Sequence, residues 1–155
     1  AQVLDSGSSL STTERTLIHR VLELQYRTVG QVARPLSLAD TVNVSTPVVE
    51  LLRICRERGH SRLPVWDSGK ENARIVGVVS LKNILYDEPN SGRTKAGDYL
   101  RPALFLEEQL RLEDALRRLQ RSGMPLAIVV DSARRERGFV TLSDVLGGVF
   151  GEVVL

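Results

Sequence analysis

The sequence predicts a mixed α/β fold of the α+β kind, in which two tandem β-α-β-β-α repeats form a pseudo-two-fold pair behind one extra N-terminal helix. Three observations carry that reading. First, the chain restates itself: Gly59-His60-Ser61-Arg62-Leu63-Pro64-Val65-Trp66-Asp67 is echoed by Gly123-Met124-Pro125-Leu126-Ala127-Ile128-Val129-Val130-Asp131, and Gly77-Val78-Val79-Ser80-Leu81-Lys82-Asn83 by Gly138-Phe139-Val140-Thr141-Leu142-Ser143-Asp144. The offsets are 64 and 61 residues, so a loop in the second copy is three residues shorter. Second, Val48, Leu51, Leu52 and Cys55 are matched by Leu112, Ala115, Leu116 and Leu119, an i, i+3, i+4, i+7 helical stripe in both copies. Third, short apolar strands alternate with these helices, an order that excludes a helical solenoid or an all-β sandwich. A unit this small cannot bury its apolar faces alone and needs its partner copy.

Residues 1–27 read as a lead-in and connecting helix. Ala1 to Leu10 are rich in Ser and Gly; Ser11 and Glu14 then have capping-box spacing for a helix running to about Arg27, with Leu17, Ile18, Val21 and Leu24 turned inward. The first repeat, residues 28–88, opens with a short helical turn, and Leu38 to Val44 is extended. Thr46 caps a helix that Pro47 begins and Gly59 ends. Strands near Arg62 to Trp66 and Arg74 to Val79 follow, joined by the turn Asp67-Ser68-Gly69-Lys70-Glu71-Asn72, and Leu81 to Tyr86 closes the unit as a helix. Pro89-Asn90-Ser91-Gly92 links the copies. The second repeat, residues 93–147, has strands near Ala103 to Leu106, Leu126 to Val130 and Gly138 to Val140, and a helix over Leu112 to Ser122. Residues 148–155 read as the start of a passage to a further region.

With 42% hydrophobic and 26% charged residues the chain is an ordinary globular sequence. Its 21 basic and 19 acidic residues balance too evenly to imply nucleic-acid binding. A single cysteine, Cys55, excludes an internal disulfide framework, and its place on the apolar stripe makes it a core thiol. No run of roughly 18 apolar residues is present to span a membrane. The chain opens without Met and closes on Val153-Val154-Leu155, which reads as a piece of a longer protein.

The chemistry concentrates at the closing helix of the second repeat. Thr141 ends a strand and Asp144 follows three residues later in the first helical turn, so both side chains share one space. There Thr141 can donate to a phosphate and Asp144 can accept from two adjacent hydroxyls, as in a ribose diol, a charge-assisted bond worth about 1.5–3 kcal/mol when desolvated. The same pair equally suits a helix cap, with Thr141 at the N-cap and Asp144 as the acid of the first turn. In the first repeat Ser80 keeps the hydroxyl but Asn83 replaces the carboxylate, which reads as solvated capping and a degenerate second site. Ser68-Gly69-Lys70 lacks the upstream glycine of a phosphate-binding loop, and His19 and His60 have no acid and nucleophile arrayed around them in sequence. The reading is therefore non-enzymatic.

The β-α-β-β-α repeat and its closing Gly-x-Val-[Ser/Thr]-x-x-[Asn/Asp] resemble a tandem cystathionine-β-synthase (CBS) domain pair. Gly59-His60-Ser61-Arg62-Leu63-Pro64-Val65 and Gly138 to Leu146 resemble, more narrowly, the pair in CorC/hemolysin-type magnesium and cobalt efflux proteins, relatives of the cyclin M transporters. The resemblance spans roughly Thr28 to Leu146. It implies a regulatory module on the cytoplasmic face of the cell membrane, attached to a transmembrane transport domain of the same parent chain. It further implies a head-to-head homodimer that binds an adenine nucleotide, ATP above others, with or without Mg²⁺. Thr141 and Asp144 match the family's nucleotide pair, with His60, Ser61, Arg62 and Pro64 completing the cleft and Val32 and Val140 beside the adenine. His60 is placed against a purine face and Arg62 at a phosphate. Arg34 stands where the family has Thr, and Gly147-Gly148 replaces its acidic pair, a loss of oxygen ligands that argues against a metal site here. The alternatives are a CBS module of a soluble enzyme or transcription factor, and a structural dimerisation domain with a dead nucleotide site.

Overall fold

The computed structural model describes residues 11–150. In chain order these form α1 (Thr12–Gln25), α2 (Val29–Val32), a 3-10 turn (Leu36–Leu38), β1 (Val42–Asn43), α3 (Val48–Arg58), β2 (Arg62–Trp66), β3 (Ile75–Ser80) and α4 (Leu81–Leu85). A second 3-10 turn (Ala96–Tyr99) then leads to β4 (Phe105–Glu107), α5 (Leu112–Ser122), β5 (Leu126–Val130), β6 (Glu136–Thr141) and α6 (Leu142–Phe150). Mixed α+β architecture in two matching halves is thus what the sequence folds into.

Each half has a three-stranded sheet in which the first strand runs parallel, and the third antiparallel, to the central one. The duplication extends to the irregularities. The register slips between Val65 and Trp66 in β2 and between Val129 and Val130 in β5, the same place in both copies. Gly59 and Gly123 end α3 and α5 with φ of 73° and 69°, a left-handed conformation costly to any residue with a Cβ. The helical stripes pack as predicted: Leu51 and Cys55 are buried against Leu63, Val65 and Val79, and Leu112, Ala115 and Leu119 against Ala127, Val129 and Val140. Burial raises the Cys55 thiol pKa, leaving it an inert core group. A third cluster of Ile75, Ile128, Val130 and Phe139 joins the two sheets. At its edge Glu136, only 8% exposed, holds Arg74 at 3.0 Å and accepts from the Ile75 amide at 3.1 Å.

The opening turns are exchanged between the halves. The Val29 and Gly30 amides of α2 donate to Leu110 and Glu108 of the second half at 2.8 Å, and Val29 is buried in that half's core. Reciprocally, the Ala96 and Gly97 amides donate to Thr46 and Val44 of the first half at 2.8 and 3.0 Å, with Ala96 in the first core. Each repeat is therefore contiguous in sequence but closed by the other's lead-in.

Several expectations are corrected. The extended run Leu38 to Val44 shrinks to Val42–Asn43, because the backbone after Pro35 folds into a 3-10 turn. Thr46 does not cap α3: its hydroxyl accepts from the Asn43 amide at 3.1 Å and Pro47 takes the cap position. Strands β3, β4 and β6 begin or end one to two residues away from the predicted limits. Ser11 does cap α1, accepting from the Glu14 amide at 3.1 Å, but that helix ends at Gln25, and Leu17 and Val21, expected inward, are 37% and 41% exposed. The predicted lead-in 1–10 and the passage beyond Phe150 lie outside the described residues.

Candidate functional site

The geometry of the site starts from a glycine. At Gly138 a Cβ would lie 2.5 Å from the Arg34 carbonyl oxygen, so only glycine lets the segment after α2 cross β6. The crossing is fixed by a two-way backbone bridge, Arg34 N–H to Phe139 O and Phe139 N–H to Arg34 O, both 2.9 Å. Two residues beyond Phe139, on the same face of β6, Thr141 enters α6.

Thr141 and Asp144 form a reciprocal cap. The Asp144 amide donates to Thr141 Oγ1 at 3.2 Å, and the Thr141 amide donates to Asp144 Oδ2 at 2.9 Å. Arg34 reaches across to the same Oδ2 with its Nε at 3.2 Å and a terminal nitrogen at 3.1 Å, while its guanidinium lies 4.6 Å from the centre of the Phe139 ring. One carboxylate thus both caps α6 and pairs with Arg34.

Beside this pair is a cleft of about 140 Å³ between the halves, lined by Arg34, His60, Arg62, Pro64 and Thr141. Those five predicted residues line it; Asp144 is not among its lining residues but adjoins it through its bonds to Arg34 and Thr141, and the remaining predicted residues lie elsewhere. Ser61 is exposed, and its carbonyl accepts from the Leu81 amide at 2.8 Å. Val140 is fully buried in the second core and Val32 packs on that core beside Gly148, so neither lines the cleft. Its apolar wall comes instead from Leu38, Ala39, Leu126 and Phe139. The sequence reading also missed Asp40, whose Oδ2 lies 2.7 Å from His60 Nε2 and orients that imidazole. Asp40 stands 20 residues from His60 in an irregular segment, where no periodicity marks it; Phe139 was findable from the two-residue repeat of β6.

The first half has the pseudo-symmetric arrangement. A Cβ at Gly77 would strike the Arg101 carbonyl, and Val78 and Arg101 bridge through backbone bonds of 2.8 and 2.9 Å. Ser80 and Asn83 line a cleft there of about 440 Å³, and Ser80, expected to cap α4, makes no side-chain cap bond. Among the described residues no cluster of three His, Cys, Asp or Glu side chains is placed to hold a metal, and no helix is long and apolar enough to cross a membrane.

Comparison with known proteins agrees with this geometry. The CBS domain family model matches residues 29–88 and 96–151. The UPF0053 protein in the cps region of Klebsiella pneumoniae is 31% identical over 96% of this chain and 46% of its own length. The magnesium and cobalt efflux protein CorC of Vibrio cholerae is 26% identical over 90% of this chain and 47% of its own length. The chain thus spans about half the length of these curated relatives. A solved structure of the CBS domain of a bacterial CNNM/CorC family Mg²⁺ transporter, in complex with ATP, superposes with a TM-score of 0.71 at 31% identity, covering 90% of this chain and 98% of that one. The two exchanged halves, their glycine crossings and the cleft between them are accordingly those of a tandem pair of CBS domains, and the chain belongs to the CBS family, with homologues among the UPF0053, CorC and hemolysin C proteins.

Proposed function

We propose that the chain is a non-catalytic regulatory module that binds an adenine nucleotide, ATP above others, in the cleft of the second repeat. The observation that carries this is that Thr141, Arg34 and Arg62 line one cleft between the halves while Asp144 is held at its edge by Arg34 and Thr141. Asp144 accepts from the ribose hydroxyls, Thr141 and Arg62 meet the phosphates, and Leu38, Ala39 and Phe139 flank the base, with His60 held ready by Asp40. A volume of about 140 Å³ is well below the roughly 300 Å³ of a small ligand pocket, so Arg34 must swing off Asp144 to admit a nucleoside. The ATP complex of the related transporter domain supports the ligand class.

Attached to a membrane magnesium and cobalt efflux domain and facing the cytoplasm, the module acts as a homodimer whose arrangement the nucleotide biases. That effect is bounded by the nucleotide's difference in affinity for the two arrangements. Calorimetry tests the site: ATP binds the wild type, and Asp144→Ala weakens it by about 1.5–3 kcal/mol. Because Asp144 also caps α6, Asp144→Asn, which retains a cap acceptor, separates loss of ribose binding from loss of helix stability. Undiminished ATP affinity in both variants sinks the assignment.

A further inference from the structure

The cleft of the first repeat has a different charge balance from its counterpart. In the second-repeat cleft two of the three basic groups meet acids: Arg34 meets Asp144 and His60 meets Asp40. In the first-repeat cleft, about 440 Å³ in volume, Arg62, Lys82 and Arg101 converge on a lining that contains no carboxylate. Among the described residues none of these three is ion-paired. Arg62 donates only to the Met124 thioether, at 3.5 Å, and Lys82 Nζ lies 5.9 Å from the centre of the Tyr86 ring. Where the pseudo-symmetric Asp144 would repel an anion, Asn83 presents a neutral amide, and Ser80 adds a hydroxyl donor.

Three cations without an ion-pair partner around one concavity create a positive potential that concentrates anions, and the acids Asp87 and Asp98 line the adjoining cavity that shares Asn83 and Arg101. The Arg101 backbone is fixed by its bridge to Val78, which sets an exposed arginine at the rim of this cleft. Nothing in the lining has the charged acceptor that selects a ribose diol. We infer that this cleft takes a compact, multiply charged phosphate compound, recognised through its oxyanions, and is not a second nucleoside pocket. Arg62 lines both clefts, but Lys82 and Arg101 line only the first-repeat one of the two and so report on it separately.

Calorimetry of the intact chain with inorganic pyrophosphate, in the absence of divalent cations, tests the inference. Saturable binding is expected, weakened about tenfold or more by Arg101→Ala and by Lys82→Ala. Asn83→Asp, which keeps the side chain's shape and adds a repelling charge, should weaken it comparably. Arg117→Ala, which removes the same charge from the exposed face of α5, should leave the affinity unchanged. The inference is overturned by absence of saturable binding, by an equal loss in Arg117→Ala, or by an affinity that depends on Asp144 while ignoring Arg101 and Lys82. It is also overturned if ADP binds through Arg101 and Lys82 more than about tenfold tighter than pyrophosphate, which would make the cleft a nucleoside site. The ribose-binding proposal depends on Asp144 and this one on Arg101 and Lys82, so either can fail alone.

Discussion

Arg34 competes for the carboxylate that a ribose would need. Its contact with Asp144 joins a side chain 46% exposed to one 22% exposed, which places the pair in the range of roughly 0.2–1 kcal/mol, and stacking on Phe139 adds about 0.5–1 kcal/mol. Arg34→Thr should therefore strengthen adenosine binding roughly three- to thirtyfold in calorimetry. ATP should gain less, because in the wild type the displaced guanidinium offsets phosphate charge and the variant loses that contribution. Unchanged or weaker adenosine binding would show that Arg34 does not obstruct the site. At this scale the sequence was informative where residues sit inside the repeated blocks: His60, Arg62, Pro64 and Thr141 all reach one cleft. It misled at Val140 because strand side chains alternate, so the face carrying Thr141 also carries Phe139 and turns Val140 to the core. Asp40 left no signal, since a single acid in an irregular segment carries no period.

The linker between the repeats is pinned as an element by Asp87. It accepts from the Tyr99 hydroxyl at 2.6 Å and from Arg93 at 3.1 Å, and the Tyr99 bond above all, then one from Ser91, holds its carboxyl far below the usual carboxylate range. A depressed folded-state pKa adds stability that is complete above the unfolded value of about 3.9 and fades as the pH falls through the folded value. Tyr99→Phe should thus lower the melting temperature at pH 7, with the gap to wild type narrowing below about pH 4. A gap independent of pH would place the tyrosine's contribution in packing alone. Elements with strong periodicity were legible from the sequence, α5 to the residue and α3 to within one residue at its start, because the apolar stripe and the terminal glycine agree. The α1 stripe was legible too, yet its burial was not. Periodicity says which side of a helix is apolar and is silent on what covers it, and Leu17, Val21 and Leu22 remain exposed.

For the whole molecule, the prediction is coupling between ligand and assembly. Small-angle scattering with and without ATP should show a dimer whose shape or association constant changes on binding, and ATP binding that leaves both untouched would favour a constitutive dimerisation role. The duplication was readable because long blocks repeat in order. The exchange of opening turns was not, because Thr28-Val29-Gly30-Gln31-Val32 and Lys95-Ala96-Gly97-Asp98-Tyr99 share only their central glycine. At those glycines the lead-in amides bond the Glu108 and Val44 carbonyls of the opposite half at 2.8 and 3.0 Å, and a Cβ there would lie only 3.0 Å from the same oxygens. Severing the chain in the linker at Ser91-Gly92 would therefore produce two fragments that are each incomplete in the same way. Either would lack the turn that roofs its own sheet while holding the one that fits its mate, so the halves are reciprocal templates and the smallest foldable unit is the pair.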